Sequence, residues 1–347
     1  MRTVHAAILC AMLFAGWNHA QAIQALNETR QPELSTLKAD FVPGEKTLFF
    51  DDFTDMAAGD APAHFRVRGS ALELRAGGAV RQLTALESGS LYPNLSGLPK
   101  NFTYEAEVQF EKARNARTAL ILYSGGKEAL IWWVNPAPIP SQTVLAIKGH
   151  TEQLGRRSFK VDIAQPIRLA LWVQDGRVRA FLNGEKQVDA NQVELPAIDK
   201  VEILSSINGA GQAIGYRSIR FAESAPDFSQ TILASGRYVS HGILFDTGSD
   251  VIKPESASII QSIARSLETN PNLKLRIEGH TDSVGGASAN LDLSRRRAEA
   301  VMAVLVKQFR IDDQRLTAAG LGSTKPIDSN ENPQGRSQNR RVEFIKE

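Results

Sequence analysis

Apolar and polar residues alternate singly along much of the first two thirds of the chain. Across Thr103–Phe110, Tyr104, Ala106, Val108 and Phe110 share one face, while Glu105, Glu107 and Gln109 share the other. That period of two marks a half-buried strand. Ile167, Leu169, Leu171 and Val173 repeat it, and Asp175-Gly176 and Asn183-Gly184 bracket Val178–Leu182 as tight-turn signals. No amphipathic helix pattern interrupts residues 46–221, and many short strands joined by turns predict an all-β sandwich. Ala222, Ser224, Ala225-Pro226 and Ser229 then predict a linker over 222–236.

From residue 237 the period changes. Ile243–Phe245 is expected to end a strand, and Pro254 to open a helix carrying Ile259, Ile260, Ile263 and Leu267 at helical spacing. Asn270-Pro271-Asn272 stops that helix. Leu273, Leu275 and Ile277 alternate as a strand, Ala287–Gln308 forms a long helix, and Leu316 marks a short strand before a last one through Val342 and Phe344. The order β-α-β-α-β-β predicts an α/β sandwich over 237–347. The fold class is therefore two domains, an N-terminal all-β sandwich followed by an α/β sandwich.

The chain's start changes its address. Arg2, the apolar run Ala6–Trp17 and Ala20-Gln21-Ala22 read as a secretory signal over residues 1–22. The run is too short to span a bilayer. Cys10, the one cysteine, lies inside it, and Leu9 stands where a lipoprotein would carry a small residue. The exported chain is thus expected in the periplasm without disulfides. A polar arm with Pro32 and Pro43-Gly44 covers 23–45. The net charge of +2 over 347 residues leaves no footprint for nucleic acid. A ligand must be caught by individually placed charges.

The long helix carries those charges. Its apolar stripe runs through Leu291, Ser294, Ala298, Val301 and Leu305. On that wheel Arg295 and Arg296 fall on the solvent side, and Arg297 falls inside the stripe beside Asn290 and Ser294. A charge on a core face needs a partner. The preceding strand runs out through Glu278-Gly279-His280-Thr281-Asp282, and Gly285-Gly286 opens the helix. Asp282 is therefore expected at a strand's C-terminal end, in the crevice where α/β sheets commonly bind ligands. A carboxylate and a guanidinium facing one cavity form a receptor for a zwitterion, and the helix N-terminus adds N–H groups for the anion.

Gly279-His280-Thr281-Asp282-x-x-Gly285 followed by Asn290-x-x-Leu293-Ser294-x-x-Arg297-Ala298 resembles the peptidoglycan-binding signature of OmpA-like C-terminal domains, shared with Pal lipoproteins and flagellar stator proteins. Phe245-Asp246 and Gly335-Arg336-x-x-Asn339-Arg340-Arg341-Val342 match as well, so the resemblance covers about Ile243–Ile345. It implies that Asp282 holds the ammonium and Arg297 the carboxylate of diaminopimelate in the peptide stem. Phe245, Asp246, Thr281, Asn290 and Leu293 would line or brace the pocket, with no cofactor and no metal. In the first domain, Pro166–Trp172 through Phe181–Glu185 resembles the central hairpin of LamG-like, concanavalin-type jelly rolls, and Asn101–Val108 resembles another of their strands. That resemblance implies a jelly roll presenting a surface to a glycan or an envelope protein.

Plainer readings constrain the rest. Glu107-Val108-Gln109-Phe110-Glu111 is similar to the Glu-x-Asp-x-Glu strand of some glycoside hydrolases, but Gln109 replaces the central acid. Alternating glutamates on a half-buried strand are ordinarily its wet face, so the chain reads as a non-enzyme. The aromatics Trp172, Phe181 and one of Trp132 and Trp133 stack on sugars or fill the core. Asp51-Asp52-x-x-Asp55 and Asp60 read as acidic turns before a calcium site. His280-x-Asp282 falls short of a metal pair, and Asn339-Arg340-Arg341 is expected to brace the last strand. The rival readings are a glycan-cleaving enzyme and a membrane barrel, which would need regular lipid-facing strands with aromatic girdles.

Overall fold

The computed structural model describes residues 31–36, 41–57, 59–77, 80–112, 116–136, 141–147, 152–224 and 228–347. The expected signal segment and Cys10 lie outside these. Between Lys46 and Glu223 the alternating segments form strands in two antiparallel sheets. One runs Glu185–Ala190, Arg177–Leu182, Ile167–Gln174, Phe102–Glu111, Ala213–Glu223, Val80–Ala85 and Leu72–Gly77, with Lys46–Asp51 also paired to Ala213–Glu223. The other runs Glu152–Phe159, Ser141–Ile147, Lys127–Asn135, Ala116–Ser124, Lys200–Ile207, Gly89–Pro93 and Phe65–Gly69. The hairpin of Ile167–Gln174 and Arg177–Leu182 lies toward one end of its sheet.

Register explains the core. Leu171 sits opposite Tyr104, and Tyr104 opposite Phe221, so one face of the first sheet is apolar. It packs with Leu122, Trp132 and Ile203 of the second sheet in one buried cluster. Polar atoms drawn into this core are satisfied: Trp132 Nε1 donates to Thr143 Oγ1 at 2.6 Å, and the Tyr216 hydroxyl lies 2.8 Å from Ser205 Oγ. Trp133 faces outward under the Arg117 guanidinium, 4.3 Å from the ring centre. The other face of the first sheet is a charged lattice, with Arg220 paired to Glu105 at 2.7 Å and Arg217 to Glu107 at 3.2 Å.

The C-terminal domain comprises α1 (Phe228–Ser235), β1 (Arg237–Ser240), α2 (Ala257–Thr269), β2 (Leu275–His280), α3 (Ala287–Phe309), β3 (Leu316–Gly322), α4 (Pro333–Asn339) and β4 (Val342–Lys346). Its sheet order is β1-β4-β2-β3, with β2 and β3 parallel and the other pairs antiparallel. Helix α3 lies so close to the sheet that a Cβ on Gly279 would sit 2.1 Å from the Ser294 carbonyl oxygen, and one on Gly320 2.3 Å from Arg295 N. Four expectations need correction. The stretch read as linker holds helix α1, because Phe228 and Ile232, one turn apart, both bury in the domain core. The first strand is Arg237–Ser240, and Ile243–Phe245 forms only one bridge, Phe245 to Ile252. Helix α4 was not anticipated. Leu291 is 48% exposed, and the buried stripe instead includes Asn290 and Val304.

The described residues of the arm are tied down. Leu34 is buried in the C-terminal core, and Gln31 bonds both backbone groups of Ile252. Buried Glu45 crosses between domains, accepting from Tyr238 OH and Ser240 Oγ at 3.1 Å each and from His241 N. Gln338 Nε2 donates to Thr47 O at 2.9 Å, Arg336 Nη2 to Thr54 Oγ1 at 3.0 Å, and Arg168 pairs with Glu255. Among the described residues no helix is long and apolar enough to cross a membrane.

Candidate functional site

Strand β2 delivers the site. His280 N donates to Arg341 O at 3.0 Å and Thr281 N to Gly322 O at 2.9 Å, so the chain leaves the sheet held on both sides. The loop beyond is braced by Asn290, whose Nδ2 donates to Asp282 O at 3.3 Å and to Val284 O at 3.0 Å. Asp282 Oδ1 accepts from Val284 N at 3.0 Å, and Oδ2 accepts from Arg340 Nη1 at 2.7 Å. Both carboxylate oxygens are therefore engaged within the domain.

Arg297 leaves α3 toward the loop between β1 and α2. Its Nε donates to Ser249 O at 2.9 Å and Nη2 to Asp246 O at 3.4 Å, and its guanidinium lies 4.8 Å from the Phe245 ring centre. Among the described residues it makes no ion-pair contact with a carboxylate. Burial, with the Arg340 charge next, pulls its pKa down to about 10, and the field of Asp282 only partly offsets them. Beside it lies a cavity of about 240 Å³, walled by Phe245, Arg297 and Arg340 from this domain and by Phe50, Glu105 and Arg220 from the sandwich.

The expected residues thus divide. Phe245 and Arg297 line the cavity; Thr281 and Asn290 are buried braces; Asp246 contributes its carbonyl while its side chain is 60% exposed. Leu293 is half-buried on α3, off the cavity wall. Asp282, expected to face one cavity with Arg297, is not among the residues lining this one; it pairs with Arg340 at 2.7 Å, and its charge still acts on Arg297. Arg340, expected to brace the last strand, makes its bracing ion pair with Asp282 just past the end of β2. Its neighbours fit that reading: Asn339 ties down Ile327–Asp328, and Arg341 is buried on Glu343 at 2.6 Å. Arg340 instead reaches out over the Phe50 ring at 5.3 Å, with Asp52 3.9 Å away. The signal was available in the pairing of β4 with β2, which sets Val342 opposite Gly279 and so carries Arg340 past the strand end that bears Asp282. Arg295 and Arg296 behave as expected, forming surface pairs with Asp292.

Among the described residues two groups bring a metal-type donor set together, Asp51 with Asp55 and His64, and Glu278 with His280 and Glu343. His64 already places Nδ1 3.0 Å from Asp51 and Nε2 3.8 Å from Asp55. Glu278, His280 and Glu343 are buried together, but Arg237, Arg276 and Arg341 neutralise the two carboxylates. His280 is left with neither ring nitrogen bonded; burial, then the Arg341 charge, pushes its pKa down to about 4, so it is neutral at pH 7. In the sandwich, Glu107 and Glu111 are held by Arg217 and Arg75.

These elements define a parallel-plus-antiparallel α/β domain with an arginine-rich cleft at its strand ends. A model of the OmpA family matches residues 244–340. The putative lipoprotein YfiB of Escherichia coli is 37% identical over 134 residues, covering 39% of this chain and 79% of that protein. The probable lipoprotein YiaD of Escherichia coli is 38% identical over 104 residues, 30% of this chain and 47% of that protein. Outer membrane porin F of Pseudomonas aeruginosa is 39% identical over 101 residues, 29% of each chain. The chain thus spans under half of YiaD and under a third of porin F. Among solved structures, the peptidoglycan-associated lipoprotein of Burkholderia pseudomallei is 29% identical, covers 33% of this chain and 92% of its own, and gives a TM-score of 0.29. Through its C-terminal domain the chain belongs to the OmpA family.

Proposed function

We propose that this protein is a non-catalytic, exported periplasmic tether whose C-terminal domain binds peptidoglycan through the diaminopimelate of the stem peptide. In this reading the sandwich is a concanavalin-type jelly roll that serves as a second binding or presentation module. One observation carries the first claim: a largely buried guanidinium, Arg297, borders a cavity and makes no ion-pair contact with a carboxylate among the described residues. A cation drawn out of water is stabilised by a complementary anion, and Arg297 with Arg340 can fork a ligand carboxylate between them. Asp282 holds Arg340 in place for that task.

The test is sedimentation of the mature chain with purified sacculi, using walls built on diaminopimelate and walls built on lysine. The carboxylate beside the side-chain amine is what distinguishes the two. We expect at least tenfold weaker retention on lysine walls, and release from diaminopimelate walls by free meso-diaminopimelate. Equal retention on both walls, or no competition, would overturn the assignment.

A further inference from the structure

The cavity beside Arg297 belongs to two domains. Four arginines border it, Arg297, Arg340 and Arg341 from the C-terminal domain and Arg220 from the sandwich. Its one carboxylate among the described residues is Glu105, from the strand Phe102–Glu111. Asp282 is not on this wall, and both its oxygens carry hydrogen bonds already. Glu105 differs: Oε1 accepts from Arg220 Nη1 at 2.7 Å, and Oε2 has no bond among the described residues. Arg220 is itself anchored, donating to Gly44 O at 2.7 Å and to Thr47 Oγ1, so the pair has a fixed place.

Resting on the wall-binding reading, we propose that the ligand pocket is bipartite. Glu105 of the sandwich receives the ligand's ammonium, while Arg297 and Arg340 take its carboxylate. Opposite charges on facing walls select a zwitterion, whereas the arginines alone would accept any carboxylate. The gap between the walls is set by the bonds from Glu45, Thr47 and Thr54 into the C-terminal domain. A void of about 240 Å³ suits one amino-acid residue. A neighbouring cavity of about 200 Å³ shares Phe50, Glu105, Arg220 and Leu244 with it and extends toward Arg168 and Glu255. The remainder of a peptide therefore has space along the outer face of the sheet.

The experiment compares meso-diaminopimelate with pimelate, the same dicarboxylate lacking both amines, by calorimetric titration of the full mature chain. We expect the native chain to prefer diaminopimelate at least tenfold, and Glu105→Gln to erase that preference while keeping pimelate binding. Glu107→Gln, whose residue pairs with Arg217 off this cavity, should leave the preference intact. If Glu105→Gln fails to fold, the double change Glu105→Gln with Arg220→Gln removes the orphaned cation and asks the same question. A preference that survives the loss of Glu105 overturns the proposal. Tighter diaminopimelate binding overturns it too, since the sandwich would then act as an obstructing lid. Arg297→Ala separates the two levels: if it abolishes both ligands while the Glu105 variant keeps its preference, only the bipartite pocket fails. If it abolishes neither, the wall-binding reading itself fails.

Discussion

Replacing Arg297 with alanine should remove binding while sparing the fold. The drop in its pKa from 12.5 to about 10 corresponds to roughly 3 kcal/mol of unrelieved cost to the charged form, at about 1.4 kcal/mol per pH unit. Two backbone carbonyls and the Phe245 face already offset part of the desolvation of this side chain. A ligand carboxylate can recover the remainder, which places the gain near the lower half of the ~2–5 kcal/mol measured for truncating desolvated charge pairs. We therefore expect a loss of about 2–3 kcal/mol, on the order of 30- to 150-fold in Kd. Stability should move by less than about 1 kcal/mol, because the lost hydrogen bonds and the relieved burial oppose each other. Titration with meso-diaminopimelate reads the first quantity and urea unfolding the second. A change in Kd below about threefold would refute the argument. So would weakened binding that merely follows a loss of stability, since Arg297 would then be a brace.

Other consequences are open to direct measurement. Asp282→Asn should release Arg340 from its 2.7 Å ion pair and weaken diaminopimelate binding by about tenfold, again with little change in urea midpoint. His280 is folded with a pKa near 4, below its unfolded value of about 6.5. As pH falls, the unfolded chain takes the proton first, so stability is lost between about pH 6.5 and 4 and levels off below. His280→Gln should remove up to about 3 kcal/mol of that slope when native and variant are compared at pH 7 and 4.5. Gly279→Ala would bring a methyl to 2.1 Å from the Ser294 carbonyl and should cost about 2–3 kcal/mol by forcing α3 off the sheet. Glu45→Ala removes three hydrogen bonds between the domains; a larger radius of gyration in solution scattering, with both domains still folded, is the expected result.

How much was legible in the sequence depends on the range of the interaction. The alternation in Phe102–Glu111 and Ile167–Gln174 is local, and the structure pairs those strands directly. The signature around Asp282 and Arg297 is local too, and two of the residues it singles out, Phe245 and Arg297, border one cavity. The misses have physical causes. Arg237–Ser240 is a four-residue strand between a helix end and Gly242, too short to display a period. Small polar residues around Phe228 and Ile232 hid a helix whose stability comes from two side chains buried on the sheet. Arg340 lies between two bracing neighbours, and only the β2–β4 register shows that it alone turns toward Asp282. Glu45 reads as one more charge in a polar arm. Its partners lie 193 to 196 positions away, beyond any pattern of spacing.

The gathering of arginines at one void is hard to explain by folding alone. Arg341 has Glu343, Arg220 has Glu105, and Arg340 has Asp282 with Asp52 3.9 Å away, but Arg297 makes no ion pair among the described residues. A domain selected only for stability would replace Arg297 with an apolar residue, since its position on α3 adjoins Ala298 and Val301 in the core. Retaining a half-neutralised cation there stores a preference for an anion. Holding the facing wall in place by hydrogen bonds then lets that preference act without a closing motion, which lowers the ordering cost of binding. On the wall-binding reading a modest affinity per site suffices. A sacculus displays the same stem many times, and a chain released from one stem meets the next at an effective concentration that can reach the millimolar range. Reversible polar contacts of this kind hold a protein at the wall while letting it move along it.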